Sequence, residues 1–305
     1  MRLATFRDAE GVRIGVARGA EIVDVGGAAL FAGEEPPPEL RDMLALIEAG
    51  ADALRRVEVL AEQARGEALL PLAAVELLAP ISRPRKNVFC LGRNYAEHAA
   101  ESLRAIGQEV QLPAYPNVFT KAPTALTGPY ADIPYDPAVT ERLDWEVELA
   151  VIIGRAGRHI APERALEHVF GYTVINDVTA RDIQNKAGVQ WFQGKSLDAS
   201  SPMGPWIVTA DEIADPRDLR LSLRVNGVTK QEASTAKMLF DVPAIIATLT
   251  RVLTLEPGDV IATGTPSGVG FARTPPEFLR PGDVMETEIA GIGTLRNRIA
   301  QERQG

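Results

Sequence analysis

The stretch Leu143-Asp144-Trp145-Glu146-Val147-Glu148-Leu149-Ala150-Val151-Ile152-Ile153-Gly154 constrains the fold more than any other. Its aliphatic and β-branched run, closed by Gly154, reads as one strand that becomes buried on both faces towards its end. Side chains two apart on a strand share a face, so Glu146 and Glu148 stand side by side at a spacing of roughly 7 Å. Trp145, Val147 and Leu149 point the other way. Burying two unpaired carboxylates costs several kcal/mol each, so a fold that encloses this strand must supply a cation, basic side chains or protons. Spacing alone leaves a second reading equally open, in which both glutamates lie on the wet face of an antiparallel sheet.

A third acid, Asp177, follows the apolar run Phe170-Gly171-Tyr172-Thr173-Val174-Ile175. Three carboxylates with water make a hard, oxygen-only shell that favours Mg²⁺ or Mn²⁺ over zinc. With only three histidines and a single cysteine, a zinc set of ordinary spacing is not available.

Two more clusters carry chemistry. In a helix over Tyr95–Ala105, His98 and Glu101 lie three apart on one face, where the carboxylate orients the imidazole as a base for water or a carbon-bound proton. A surface helix pair is the plainer reading of an isolated His-x-x-Glu. Arg181 and Gln184 follow Asp177, and Lys195 lies in Trp191-Phe192-Gln193-Gly194-Lys195-Ser196, placed to meet an anionic substrate or developing oxyanion if desolvated, and otherwise a loop lysine. The segment Thr263-Gly264-Thr265-Pro266-Ser267-Gly268-Val269-Gly270 lacks the Gly-Lys-Ser/Thr ending of a nucleotide phosphate loop. Its glycines suit close backbone approach to a small ligand.

Around these clusters the chain divides near Pro71–Pro80. Residues 1–75 read as a small structural α/β domain: strands at Arg2–Phe6, Val12–Ala17 and Glu21–Val25, a helix with Leu40, Met43, Leu44 and Ile47 on one face that stops at Gly50, and a second that stops at Gly66. Residues 76–305 read as an α+β catalytic domain with a dominant sheet. Asn226-Gly227 marks a hairpin, the Pro-Gly-Asp triplets at 257–259 and 281–283 mark turns, and Asp241 caps a helix through Val242–Val252. No alternating strand–helix series of a doubly wound fold is present.

Composition narrows the partners. A net charge of -9 over 305 residues opposes nucleic acid and anionic membranes. No run approaches a membrane span and the N-terminus carries no apolar segment of signal-peptide length, so a cytoplasmic location is expected. Cys90, in Val88-Phe89-Cys90-Leu91, reads as a buried small hydrophobe rather than a nucleophile.

Taken in order from about Asn87 to Ile299, these motifs resemble the fumarylacetoacetate hydrolase family: Gly92-Arg93-Asn94-Tyr95 with His98 and Glu101, Asp144-Trp145-Glu146-Val147-Glu148-Leu149, Asn176-Asp177-Val178-Thr179-Ala180-Arg181-Asp182-Ile183-Gln184, Gly194-Lys195-Ser196, and the glycine loop at 264–270. The resemblance implies a mixed β-roll catalytic domain in a homodimer, with Mg²⁺ or Mn²⁺ held by Glu146, Glu148 and Asp177. It implies a His98–Glu101 dyad on a closing segment, Lys195 and Gln184 at the enolate, Arg181 near by, and Thr265 at the substrate. The leading expectation is hydrolysis of a C–C bond in a 3-acylpyruvate such as fumarylpyruvate, through a stabilised enolate. Its alternative is decarboxylation of oxaloacetate or of an aromatic-catabolite 2-oxo diacid, or isomerisation of the latter. From other classes, a glycosidase built on paired carboxylates and a non-catalytic ligand-binding protein complete the alternatives. Ser102–Pro116 is the expected closing segment.

Overall fold

The structure, a computed structural model, describes residues 1–186 and 190–302. At its centre lies strand Val147–Ile153, buried at every position. It pairs antiparallel with Val169–Asn176 on one side and with Val260–Ala262 on the other. Beyond Val169–Asn176 the sheet continues through Ser201–Thr209 to the N-terminal strands Arg2–Asp8, Gly11–Arg18 and Glu21–Asp24. Beyond Val260–Ala262 it continues through Val88–Gly92, which runs parallel to it, to the edge strand Asn117–Lys121. The first residues of the chain therefore extend the same sheet that carries the acids.

A second sheet of five strands contains Arg220–Val225, Val228–Ser234, Val284–Ile289, Gly293–Gln301 and Ile133–Tyr135. Its inward residues Leu221, Leu223, Met285 and Leu295 share a core with Val147, Leu149 and Val151. Ala150 and Ile152, on the opposite face, join a separate core with Leu46, Ile47 and Val57 from the N-terminal helices. Alternation on one strand thus feeds two cores, which is why that strand has no polar position after Glu148.

Local signals hold where turn chemistry is decisive. Asn226 and Gly227 adopt φ of 52° and 77°, the two positive values that a tight hairpin turn requires, between Arg220–Val225 and Val228–Ser234. Asp241 Oδ1 accepts from the Ala244 N–H at 2.9 Å and starts helix Val242–Thr250. The helix of the dyad runs from Ala96 to Ala105. The helix expected to open at Leu40 instead begins at Met43, because Asp42 accepts from the Ala45 N–H at 2.8 Å and caps it there; Leu40 closes a separate 3-10 turn. The segment at 162–168 is likewise a 3-10 helix.

One correction bears on the site. The expected single strand from Leu143 is broken: Leu143–Asp144 pairs with Thr179–Ala180, and the main ladder restarts at Val147. At the break the Glu146 N–H donates to the Asn176 side-chain oxygen at 2.9 Å, while the Glu146 carbonyl accepts from the Asp177 N–H at 2.9 Å. A side-chain amide takes the place of a ladder partner, so the backbone turns without leaving a buried donor unpaired. Among the described residues no helix is long and apolar enough to cross a membrane.

Candidate active site

Glu146, Glu148 and Asp177 each bring a carboxylate oxygen within 4.8 Å of the others, and all three are buried. The main strand places Glu148, the break before it places Glu146 through its backbone bonds to Asn176 and Asp177, and the end of the neighbouring strand places Asp177. Each acid has distinct partners. Glu146 accepts from Arg181 Nη2 at 2.6 Å and from Lys195 Nζ at 2.7 Å. Asp177 accepts from Lys121 Nζ at 2.6 Å and from Lys195 Nζ at 2.7 Å. Glu148 accepts from the Gly264 N–H at 2.7 Å. Asp144, behind them, accepts from Arg181 Nε at 2.8 Å and from the Gly270 and Phe271 N–H groups at 2.7 and 3.0 Å.

Four buried acids therefore face three buried bases, and Glu148 is the acid without a cationic partner among the described residues. Burial pushes the Glu148 carboxyl up, the charges of Asp177 and Glu146 push the same way, and it lies well above the usual carboxylate range. Burial acts on Glu146 in the same direction, but the charges of Lys195 and Arg181 outweigh it and bring that group down to about 2. An oxygen-only set with one uncompensated carboxylate fits a hard divalent cation, which supplies the missing positive charge.

A cavity of about 370 Å³ adjoins this cluster, with Glu146 the acid of the three in its lining, together with Lys195, Arg181 and Gln184 and with His98, Ser102, Ile106 and Gln108. His98 Nδ1 lies 3.0 Å from Glu101 Oε1, and both Glu101 oxygens accept from the Gly268 N–H at 3.0 Å. That backbone grip fixes the Glu101 carboxylate and orients the ring with Nδ1 as the donor, leaving Nε2 as the acceptor. Gly268 has φ of 106°, and a Cβ there would collide with the Lys230 carbonyl, so only glycine brings this N–H to Glu101.

The structure brings all the expected site residues to this region, with altered partners. Lys195 is 2% exposed and bridges Glu146 and Asp177 rather than lying in a solvated loop. Arg181 is bound to Asp144, Glu146 and the Gln184 side-chain oxygen, so its charge is already answered by two acids. The Thr265 hydroxyl donates to the Val147 carbonyl at 2.9 Å and accepts from Gln231 Nε2 at 2.8 Å, so it ties the glycine loop to the acid-bearing strand. The glycine loop itself, expected to cradle a ligand, turns its N–H groups onto Glu148, Glu101 and Asp144. Of the expected closing segment, Ser102, Ile106 and Gln108 reach the cavity, whereas Tyr115 is exposed and accepts from Arg251.

Lys121, Asp144, Asn176 and Gln231 belong to the site and were not singled out from sequence. Lys121, fully buried at the end of an edge strand, meets an acid 56 residues away, and nothing local distinguishes it from a surface lysine. Asn176 and Asp144 adjoin the named acids in their motifs, and that adjacency was the available signal. Cys90 is fully buried; burial pushes its thiol up, as do the charges of Asp177 and Glu148.

Residues 87–300 match the fumarylacetoacetate (FAA) hydrolase C-terminal family. The chain is 49% identical over 234 residues to oxaloacetate tautomerase YisK of Bacillus subtilis, covering 77% of this chain and 76% of that protein. It is 40% identical over 302 residues to the human mitochondrial oxaloacetate tautomerase FAHD2A, covering 98% and 91%. Among solved structures it is similar to the maleylpyruvate hydrolase of Sphingobium sp. SYK-6 in complex with manganese(II) and pyruvate, at 33% identity and a TM-score of 0.77 over 99% of this chain and 100% of that one. Ordered motifs, a mixed α+β fold and the family match over residues 87–300 agree: the chain is an enzyme of the fumarylacetoacetate hydrolase family.

Proposed function

We propose that the protein is an oxaloacetate tautomerase, interconverting the keto and enol forms of that 2-oxo diacid. The carrying observation is the near full-length kinship with relatives of that activity, 98% of this chain against 91% of the human protein. The expectation that led from sequence, 3-acylpyruvate hydrolysis, gives way to the oxaloacetate and isomerase alternative. The site geometry supports the change, because tautomerisation needs only a proton carrier beside an enolate-stabilising cluster, and both face one cavity.

The reaction breaks a C3–H bond and forms an O–H bond at C2, or the reverse. His98 Nε2 takes the C3 proton while Glu101, through Nδ1, stabilises the imidazolium that forms, and the imidazolium then gives that proton to the C2 oxygen, so that one proton moves from carbon to oxygen and His98 returns to its neutral form. Lys195 has two of its three N–H donors on Glu146 and Asp177, and the third meets the charge that develops on the C2 oxygen. Glu146, Glu148 and Asp177 would hold Mg²⁺ or Mn²⁺, which when bound would supply Lewis-acid polarisation to the 2-oxo acid. Apolar walls from Leu91, Phe119 and Phe271 limit the water that reaches the carbanion.

In this reading residues 1–75 are a scaffold for the catalytic region, and the working form is a homodimer without nucleic-acid or membrane partners, a state that sedimentation measures. The test of function follows the enol absorbance of oxaloacetate with Mg²⁺ or Mn²⁺. Accelerated decay without pyruvate release supports the reading, and no acceleration with either metal refutes it. Cleavage of maleylpyruvate to pyruvate and a second acid would favour hydrolysis, the second reading, which rests on the manganese-bound neighbour.

A further inference from the structure

Arg93 differs from every other cation in the cavity. Arg181 and Lys195 are each held by two acids, whereas Arg93 has no ion pair and no side-chain hydrogen bond among the described residues. It is half-buried, and burial draws its guanidinium down with no anion acting against it. A half-buried arginine that lines a cavity and pairs with no carboxylate is an unanswered charge.

Its position is enforced rather than incidental. Arg93 has φ of 57°, a left-handed backbone that a non-glycine residue adopts at a cost of about 1–3 kcal/mol. The neighbouring Asn94 secures it: its side-chain amide donates to the Phe240 and Thr263 carbonyls at 2.9 and 2.8 Å, its side-chain oxygen accepts from the Phe240 N–H at 2.9 Å, and its carbonyl accepts from the Leu239 N–H at 2.8 Å. Four bonds to two distant segments over-determine this turn. The guanidinium carbon then sits 5.7 Å from the centroid of the Trp191 ring, and Trp191 packs where a Cβ on Gly92 would lie. Trp191 in turn meets Phe119 edge-on at 5.3 Å, and Phe119 lies 5.1 Å from Lys195 Nζ. Two aromatic rings thus separate a free guanidinium at one end of the cavity wall from the acid-bound ammonium at the other. Asn117 and Gln108 bring amides to the same cavity.

We propose that Arg93, seated on Trp191, recognises the second carboxylate of a 2-oxo diacid whose 2-oxo end faces Lys195 and the three acids. A planar guanidinium with its fork unoccupied matches a carboxylate bidentately. The inference rests on the tautomerase reading for the identity of the diacid, but the selectivity it assigns concerns binding. It makes Arg93 the residue that separates diacids from 2-oxo acids with an uncharged distal end.

The test compares oxaloacetate with its 4-methyl ester, which keeps the 2-oxo end and loses the distal charge, in wild type, R93K and R93M, by calorimetry with Mg²⁺ present and by turnover. Wild type is expected to bind the diacid about 10- to 100-fold more tightly, the range for a charged hydrogen-bonded contact. R93M is expected to erase that ratio through KM, and R93K to restore part of it, a gradation that a packing role would not give. Equal binding of diacid and ester by wild type, or an unchanged ratio in R93M, overturns the proposal. Selective binding through Arg93 without any turnover refutes the tautomerase reading and leaves this one standing.

Discussion

Glu148→Gln should stabilise the metal-free protein at alkaline pH, although Glu148 is buried, because Glu148 is the acid to which the cluster offers no basic partner. Its folded carboxyl lies well above the ordinary value of 4.5, so the native protein keeps a proton that the unfolded chain releases. A group of this kind contributes its full stability below the unfolded value, and that contribution is lost as pH rises through the folded one. Glu146 has the opposite sign, with a folded value of about 2: its contribution is present above 4.5 and is lost only as pH falls towards 2, so it is flat between pH 5 and 8.5. Glutamine keeps the acceptor for the Gly264 N–H and removes the charge. The relief expected at pH 8.5 is about 1–3 kcal/mol, the penalty of an uncompensated buried polar group. For 305 residues roughly 1.5 °C accompanies each kcal/mol, so melting in EDTA should rise by about 2–5 °C at pH 8.5 and by little at pH 5. Saturating metal should reverse the order, since Mg²⁺ or Mn²⁺ at 1,000 times Kd adds about 4.1 kcal/mol to the wild type alone. The reasoning fails if the variant melts below wild type in EDTA at pH 8.5, or if metal stabilises both proteins equally.

Three further outcomes follow from the same geometry. His98→Asn and Glu101→Gln should each lower kcat by about 10²- to 10⁴-fold while metal-induced thermal stabilisation persists, since neither group joins the acid cluster; loss of that stabilisation in either would contradict the assignment. Asp144→Asn leaves Arg181 buried with one acid and weakens the hold on the Gly270 and Phe271 N–H groups. It should cost about 3–5 kcal/mol, read as a denaturation midpoint shift, and a change below 1 kcal/mol would mean the pair is dispensable. Cys90 should resist iodoacetamide in the native protein and be labelled only on unfolding, as mass spectrometry of the intact chain reports; rapid native labelling would show that the strand opens.

Local chemistry made much of this protein legible from its sequence. A period near 3.6 set His98 beside Glu101 and an Asn-Gly pair set the hairpin at 226–227, because each depends on residues a few positions apart; Glu146 and Glu148 do come together, but across a break in the strand that their spacing did not show. What joins those pieces depends on distance in space. Lys121 looks like any edge-strand lysine until Asp177 is placed against it, and Arg181 looks free to bind substrate until Asp144 and Glu146 take its charge. The loop at 264–270 resembles a ligand cradle, yet tertiary packing turns its amides onto Glu148, Glu101 and Asp144. Sequence by itself determined which groups stand within a few positions of one another, His98 by Glu101 and Glu146 by Glu148. Only the tertiary structure decided which charges are neutralised within the fold and which, Glu148 and Arg93, are left for something that binds, because a charge is answered by its nearest counter-charge and nearness is set by the folded chain.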